Sequence, residues 1–173
     1  MDEIYEILKY TLPSLIVFVA VFLVLKKFLD NEHRNAVYDF KKGNLKLITP
    51  IRLQAYERSA LFLERIGMEN LITRVNQPRM TAEQLHVTLI TSIRSEYEHN
   101  LSQQIYMSSD AWNAVKEARE ETLKIIHTAM ANTKSKGSAI ELTTSIFTLL
   151  EGIDVPPNQR AIEILKKEVR RLF

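Results

Sequence analysis

The longest apolar run of the chain lies near its N-terminus. Residues 10–25 are sixteen positions without a charge, bounded by Lys9 on one side and by Lys26 and Lys27 on the other. A helix that is apolar on all sides is buried in lipid or in a large core. Sixteen residues make about 24 Å of helix, against a hydrocarbon thickness of about 30 Å, and flanking lysines can extend toward water. The pattern predicts a transmembrane anchor within residues 1–30, with a soluble core helix as the alternative.

The flanks of this run argue against a cleaved signal peptide and predict an orientation. The chain opens with Asp2, Glu3 and Glu6 rather than with basic residues, and no small-residue cleavage site follows the run. Between positions 26 and 46 there are six basic residues against three acidic ones. Basic flanks stay on the cytoplasmic side. We therefore expect a single-pass membrane protein, with its N-terminus outside and its C-terminal domain in the cytoplasm.

The polar segment after the run predicts a stalk and linker over residues 31–48. We expect the helix to continue to about Gly43 and a short extended stretch, "LKLIT", to follow. Thr49 and Pro50 then have the order of a hydroxyl N-cap and a first helical residue. They predict the start of a helix that ends at Gly67 and of a cytoplasmic domain over residues 49–173.

The remaining pattern predicts helices joined by short turns. A helix over "MENLITRV" is followed by a long one that begins at Thr81, where Gln84 completes a capping box, and that reaches about Met107. Apolar spacing and turn residues predict further helices over 111–133, over 139–151 and after the prolines at 156 and 157. The predicted fold class is all-α: one N-terminal transmembrane helix, then an antiparallel bundle of about five helices.

Composition excludes several classes of function. The formal net charge is +2, and +3 falls on residues 31–173, which is too little for the concentrated positive field of a nucleic-acid binder. The four glycines form no phosphate-binding loop, and the absence of cysteine excludes thiol catalysis and cysteine zinc sites. No nucleophile elbow and no H-E-x-x-H motif is present. We expect no cofactor, no nucleic-acid partner and no catalytic residue.

The motif nearest to a metal site is E-x-x-H, which occurs as Glu83/His86 and as Glu96/His99. Both copies lie on one predicted helix, thirteen residues and therefore about 20 Å apart. A dinuclear site needs its motifs on different, facing helices. We therefore expect no metal ion, and a membrane-tethered enzyme or metal-binding bundle that uses Glu96, His86 and Tyr97 is kept as an alternative.

The same helix has polar residues on its packing face, where an unpaired group is costly. We expect them to hydrogen-bond across the bundle, to the helix that begins at residue 49, in a network that selects register and partner more than it adds stability. The predicted polar network consists of His86, Glu96, Tyr97, Asn100, Gln104, Arg52 and Glu57.

The last predicted helix is amphipathic and basic. Its apolar stripe is Ile162, Leu165, Val169 and Leu172. A basic amphipathic helix can lie on an anionic leaflet, or contact nucleic acid, although bundle packing with a solvated basic face is the simpler interpretation. The predicted membrane-surface contacts are Lys26, Lys27, Arg160, Lys166, Lys167, Arg170 and Arg171.

The segments "IRLQAYERSALFLERI", "QLHVTLITSIRSEYEHNLSQQIYMSSDAW" and "VKEAREETLKIIHTA" resemble a bacterial family of N-terminally membrane-anchored helical proteins of unknown function. The resemblance extends from the apolar run to about residue 132. It implies an N-terminal anchor in a bacterial inner membrane and a helical domain, and it assigns no catalytic residue.

From these observations we expect an interaction or scaffolding module for a membrane-associated assembly. Its expected partners are the lipid bilayer, through residues 10–25, and a second protein or further copies of the chain. An anchor of this kind would raise the effective concentration of the domain against other membrane partners.

Overall fold

The computed structural model describes the backbone of residues 2–134 and 137–172, and the side chains of these residues except 2–8, 11–14, 30 and 33–45. The chain divides into two units, residues 1–49 and residues 50–173. The first helix, α1, is Asp2–Ile66. Throughout the described part of the chain every regular element is helical, so the all-α prediction is confirmed.

The structure of the first unit contradicts the prediction of a transmembrane helix. Among the residues that the structure describes, no helix is both long and apolar enough to span a membrane. The described run from Leu15 to Leu25 is eleven residues, or about 16 Å of helix, before Lys26 and Lys27 interrupt it. Residues 11–14 of the predicted span lie outside the described side chains. The prediction of a transmembrane anchor is therefore wrong.

The predicted extended linker is helical as well. Residues 45–49 belong to α1, which passes through Pro50 and ends at Ile66. A proline inside a helix removes one backbone hydrogen bond, at a cost of about 3 kcal/mol, without necessarily ending the helix. The N-cap order of Thr49 and Pro50 was therefore not sufficient to predict a helix start.

The second unit contains the end of α1 and five further helices. A 3₁₀ segment, Leu101–Ile105, lies where the long helix was predicted to continue to Met107. The five helices are α2 (Met68–Val75), α3 (Ala82–Asn100), α4 (Ser109–Asn132), α5 (Ala139–Glu151) and α6 (Pro157–Leu172).

Side-chain caps explain where three of these helices begin. Thr81 accepts from the Gln84 amide while the Gln84 side chain accepts from the Thr81 amide, which is the predicted capping box. Ser108 and Ser138 cap α4 and α5 through the amides of Ala111 and Glu141. The starts of α3 and α5 lie side by side, because the Ala82 amide donates to Gly137 and the Ala139 amide donates to Met80.

The core of the second unit is organised around α4, which packs against α3, α5 and α6. Its buried stripe carries Trp112, Val115 and Ile126, spaced for one helix face. The largest fully buried side chains come from the other elements as well: Phe62, Leu63, Ile66, Leu71, Leu85, Leu89, Ile93, Leu142 and Ile146. One apolar core therefore joins α1 through α6 within this unit.

Candidate functional site

A carboxylate of the predicted network joins three helices. Glu96 of α3 lies 3.2 Å from Arg65 Nε of α1 and 3.7 Å from an Arg74 terminal nitrogen of α2. The Glu96 side chain is 19% exposed, whereas those of Arg65 and Arg74 are 56% and 36% exposed. Ion pairs at this exposure contribute about 0–1 kcal/mol each. Glu96 therefore fixes the register of α3 against α1 and α2 with a modest contribution to stability.

Tyr97, which follows Glu96 on α3, lies at the centre of an aromatic cluster. Its ring stacks on Trp112 at 5.7 Å and is tilted against Phe62 at 5.9 Å. The Arg119 guanidinium carbon lies 4.1 Å from the centre of the Tyr97 ring, and Arg119 also pairs with Glu120. Such a contact contributes about 0.5–2 kcal/mol, depending on desolvation. The buried Nε of Arg119 has no hydrogen-bond partner in the described structure.

The other predicted members of the network lie apart from this cluster. Asn100 donates to the Glu96 carbonyl within α3, and Gln104 is exposed in the 3₁₀ segment. Arg52 Nε donates to the Tyr106 carbonyl at 3.2 Å, and Glu57 is exposed. The structure thus brings Glu96 and Tyr97 into contact with α1, but through partners that the sequence did not indicate.

His86 contacts α4 rather than α1. Its Nε2 lies 3.1 Å from Nδ1 of His127, and the planes of the two rings are inclined at 62°. Burial lowers the pKa of His86, and His127 lowers that pKa further, while Glu83 acts in the opposite direction. The described residues contain no group of three or more His, Cys, Asp or Glu side chains that could hold a metal ion.

A buried carboxylate outside the predicted network links α6 to the core of the second unit. Glu168 of α6 is 8% exposed and accepts from the Tyr56 hydroxyl at 2.6 Å and from the Ser108 hydroxyl at 2.7 Å. Burial, and next the hydrogen bond to Glu168, raise the pKa of Tyr56 above its ordinary value of 10.0. The spacing of Glu168 from Ala161 and Leu165 was the available signal, because it repeats one helix face.

The basic residues of α6 are distributed between ion pairs and solvent. Arg160 lies 2.5 Å from Glu121, and Lys166 lies 2.8 Å from Glu163. Lys167, Arg170 and Arg171 are exposed, as are Lys26 and Lys27 of the first unit. The opposite face of α6 is buried against α4. The α6 helix therefore uses its apolar stripe for bundle packing.

A cavity of about 370 Å³ opens where four helix ends of the second unit meet. Helices α1 and α5 end beside it, and α2 and α6 begin beside it. Ile125, Phe147 and Leu150 supply apolar lining. The volume falls in the range of small-molecule sites, about 300–1,000 Å³. The sequence indicated only the turns at Gly67 and Gly152, because a cavity between loops leaves no periodic pattern.

The polar lining of this cavity is acidic and neutral. Three carboxylates lie among its lining residues, those of Glu64, Glu69 and Glu151, and no lysine or arginine does. The α2–α6 side of the cavity is closely packed, since a Cβ on Gly67 would lie 2.9 Å from Nδ2 of Asn158. This cavity is a candidate binding site of the second unit, and the polar network around Glu96 does not line it.

Comparison with known proteins gives a family but no described relative. No curated protein and no solved structure matches the chain. A family model, described as a family of unknown function and designated DUF7935, matches residues 2–172. The match includes both units and extends past the region in which the sequence resemblance was strongest. The chain therefore belongs to the DUF7935 family of unknown function.

Proposed function

We propose that the chain is a helical interaction subunit that assembles through the apolar segment of α1 with further copies of itself. The observation that carries the proposal is the exposure of residues 15–29. From Leu15 to Leu25 every side chain is exposed, and the large apolar ones are 47–68% exposed. Apolar surface of this extent marks an interaction site, since a helix apolar on all sides needs neighbours on more than one side.

The spacing of the largest side chains supports other helices as the occupant. Leu15, Phe18, Phe22, Leu25 and Leu29 are separated alternately by three and four positions, which is the repeat of a helical coiled coil. They are between 54% and 68% exposed. Full burial of such a side chain contributes about 1.5–3 kcal/mol. Because only the exposed part of each, roughly three fifths, is still to be buried, the five side chains offer about 5–9 kcal/mol per copy. Association of two chains costs about 4–15 kcal/mol. The free energy gained by burying the stripes of two copies is larger than this cost over most of that range.

Further copies of the chain are the partners that this segment fits most directly. Any copy carries the same stripe, so a self-complementary contact needs no second gene product. The remaining apolar positions, such as Ile16 and Val24, lie outside the stripe and favour an assembly of more than two helices. The predicted contact of residues 10–25 with lipid is the competing interpretation of the same surface. Cytoplasmic location at a bacterial inner membrane stays a prediction.

Sedimentation velocity of the full chain tests this proposal. We expect the wild type to form an oligomer without detergent or lipid, and Phe18→Glu together with Phe22→Glu to shift it to the monomer. Asn31→Glu is the control for added negative charge, because it lies exposed on the same helix and removes no apolar group. A wild-type monomer across micromolar concentrations would refute self-assembly. So would an oligomer that the Phe18/Phe22 variant leaves intact.

A second measurement distinguishes lipid from protein as the occupant. The same variants are sedimented with phosphatidylcholine vesicles and with vesicles that contain anionic lipid. Self-assembly predicts that the oligomer persists and that few chains sediment with the vesicles. Association of the wild type with vesicles as a monomer, lost in the Phe18/Phe22 variant, would overturn the proposal in favour of a lipid contact.

A further inference from the structure

We propose that His86 of α3 and His127 of α4 together bind one divalent ion of the late first-row transition metals, such as Cu²⁺ or Zn²⁺. The proposal is independent of self-assembly through residues 15–29, because both histidines belong to the second unit. Three observations carry it: the distance between two ring nitrogens, the packed core behind both rings, and the access of solvent to the pair.

The two ring nitrogens have the separation of two ligands on one ion. Nε2 of His86 lies 3.1 Å from Nδ1 of His127. Imidazole nitrogens bind Zn²⁺ at about 2.0–2.1 Å, so two nitrogens at this separation subtend an angle of about 100° at a shared ion. That angle lies between the right angle of adjacent square-planar ligands and the tetrahedral angle. Both geometries are ordinary for these metals, so neither helix needs to move.

Metal binding changes the orientation of the rings and the position of one hydrogen. One of the two nitrogens carries the hydrogen of the ring-to-ring hydrogen bond. A metal takes a lone pair from each nitrogen, so that hydrogen moves through water to the other nitrogen of the same ring, and the neutral pair loses no net proton. The ion lies off the line that joins the two nitrogens, so the rings turn about χ2, which is a broad torsion. His127 is exposed and has room for this rotation.

The backbone behind each ring is fixed by the core. Leu85 and Leu89 flank His86 on α3, Ile126 precedes His127 on α4, and all three apolar side chains are 0% exposed. The two helices pack directly against each other. Ligands that folding has already placed side by side bind more tightly, because little ordering remains to be done. The two E-x-x-H copies lie on one helix, whereas His127 supplies a ligand from the facing helix.

The ligand atoms select the class of metal. Imidazole nitrogen favours Cu²⁺, Zn²⁺ and Ni²⁺, whereas Mg²⁺ and Ca²⁺ prefer oxygen. The described residues contain no metal-binding group of three or more His, Cys, Asp or Glu side chains, so water completes the coordination. Glu83 lies one turn before His86 and favours positive charge on that ring. Lys124 lies one turn before His127 and opposes a cation there. These two charges offset each other, so the nitrogens determine the affinity.

Isothermal titration calorimetry of the tag-free full chain at pH 7.5 with CuCl₂, ZnCl₂ and MgCl₂ tests the site. We expect one Cu²⁺ per chain, weaker binding of Zn²⁺ and no binding of Mg²⁺. Linking two ligands gains about 10²–10⁴-fold over one, so His86→Gln and His127→Gln should each weaken Cu²⁺ about a hundredfold or more. The chain has four histidines. His99→Gln is the matched control, because His99 is exposed on α3 outside the pair, and it should leave the affinity unchanged.

Two further measurements distinguish a shared ion from a general effect of the substitutions. Electron paramagnetic resonance of bound Cu²⁺ should show coupling to two imidazole nitrogens in the wild type and to one in either variant. Excess Zn²⁺ should raise the thermal unfolding midpoint of the wild type and of neither variant. His127→Gln changes an exposed side chain, so this variant is expected to fold, which far-UV circular dichroism checks. No binding of Cu²⁺ or Zn²⁺, an affinity that both variants leave unchanged, or an equal loss in His99→Gln would refute the site.

Discussion

Replacement of Tyr56 by phenylalanine tests whether the buried carboxylate of α6 holds the second unit together. The substitution removes one hydroxyl and keeps the ring, which is 3% exposed in the core. That hydroxyl donates to Glu168 at 2.6 Å, and Glu168 then retains only the Ser108 hydroxyl among its described partners. The variant therefore removes the hydrogen bond between two residues that are 112 positions apart.

The expected loss follows from the charge and burial of the acceptor. A hydrogen bond to an ionised group contributes about 1.5–3 kcal/mol net, about twice a neutral one. Glu168 is 8% exposed, so water cannot readily replace the missing donor. We therefore expect Tyr56→Phe to lower the free energy of unfolding by about 2–3 kcal/mol. For a unit of this size that is a large share of a total of about 5–15 kcal/mol.

Urea unfolding followed by tryptophan fluorescence measures this loss. The chain has a single tryptophan, Trp112, which is 6% exposed, so the signal reports on the second unit. Tyr106→Phe is the matched control, because the Tyr106 side chain is exposed and its hydroxyl has no partner among the described residues. We expect the control to change stability by less than about 0.5 kcal/mol. A Tyr56→Phe midpoint equal to that of the control, at unchanged urea dependence, would refute the reasoning.

Three further outcomes are expected from the same assay. Because the folded-state pKa of Tyr56 lies above 10.0, wild-type stability should fall as the pH rises through and above 10, and Tyr56→Phe should lack that component. The folded-state pKa of His86 lies below 6.5, so stability should fall as the pH drops below 6.5. His86→Gln should flatten this acid dependence, whereas an unchanged slope would exclude the His86–His127 pair as its origin. Glu96→Gln should cost about 1 kcal/mol or less at low salt, and a loss that persists in 1 M NaCl would contradict an ion-pair origin with Arg65.

The starts of α3, α4 and α5 could be predicted from the sequence because their signals are local. Thr81, Ser108 and Ser138 each cap a helix through amides three residues away. The end of α3 was predicted too late, since the polar segment after Asn100 forms a 3₁₀ turn rather than another α-helical turn. The apolar run predicts a membrane span from its lack of charge, its lack of a polar face and its flanking lysines, but no described helix is long and apolar enough to be one.

The contacts of the candidate sites could not be predicted, because they depend on distant parts of the chain. His86 was expected to reach the helix before it and contacts His127 after it. Glu168 is one of two acidic residues on a basic helix, and only the approach of Tyr56 and Ser108 distinguishes it. The cavity requires four helix ends to converge, and each end is unremarkable in the sequence. Periodicity indicates which face of a helix is buried, whereas the partner of that face is set by tertiary packing.

The long separation of Tyr56 and Glu168 along the chain has a consequence for synthesis of the protein on the ribosome. The carboxylate that Tyr56 needs is translated 112 residues after it, so the first half of the unit emerges before its last partner exists. Until α6 leaves the exit tunnel, the α4 surface that α6 covers stays open to other nascent chains and to chaperones. Completion of this fold therefore waits for the synthesis of α6, and a truncated chain that lacks α6 should become a substrate for cellular proteases.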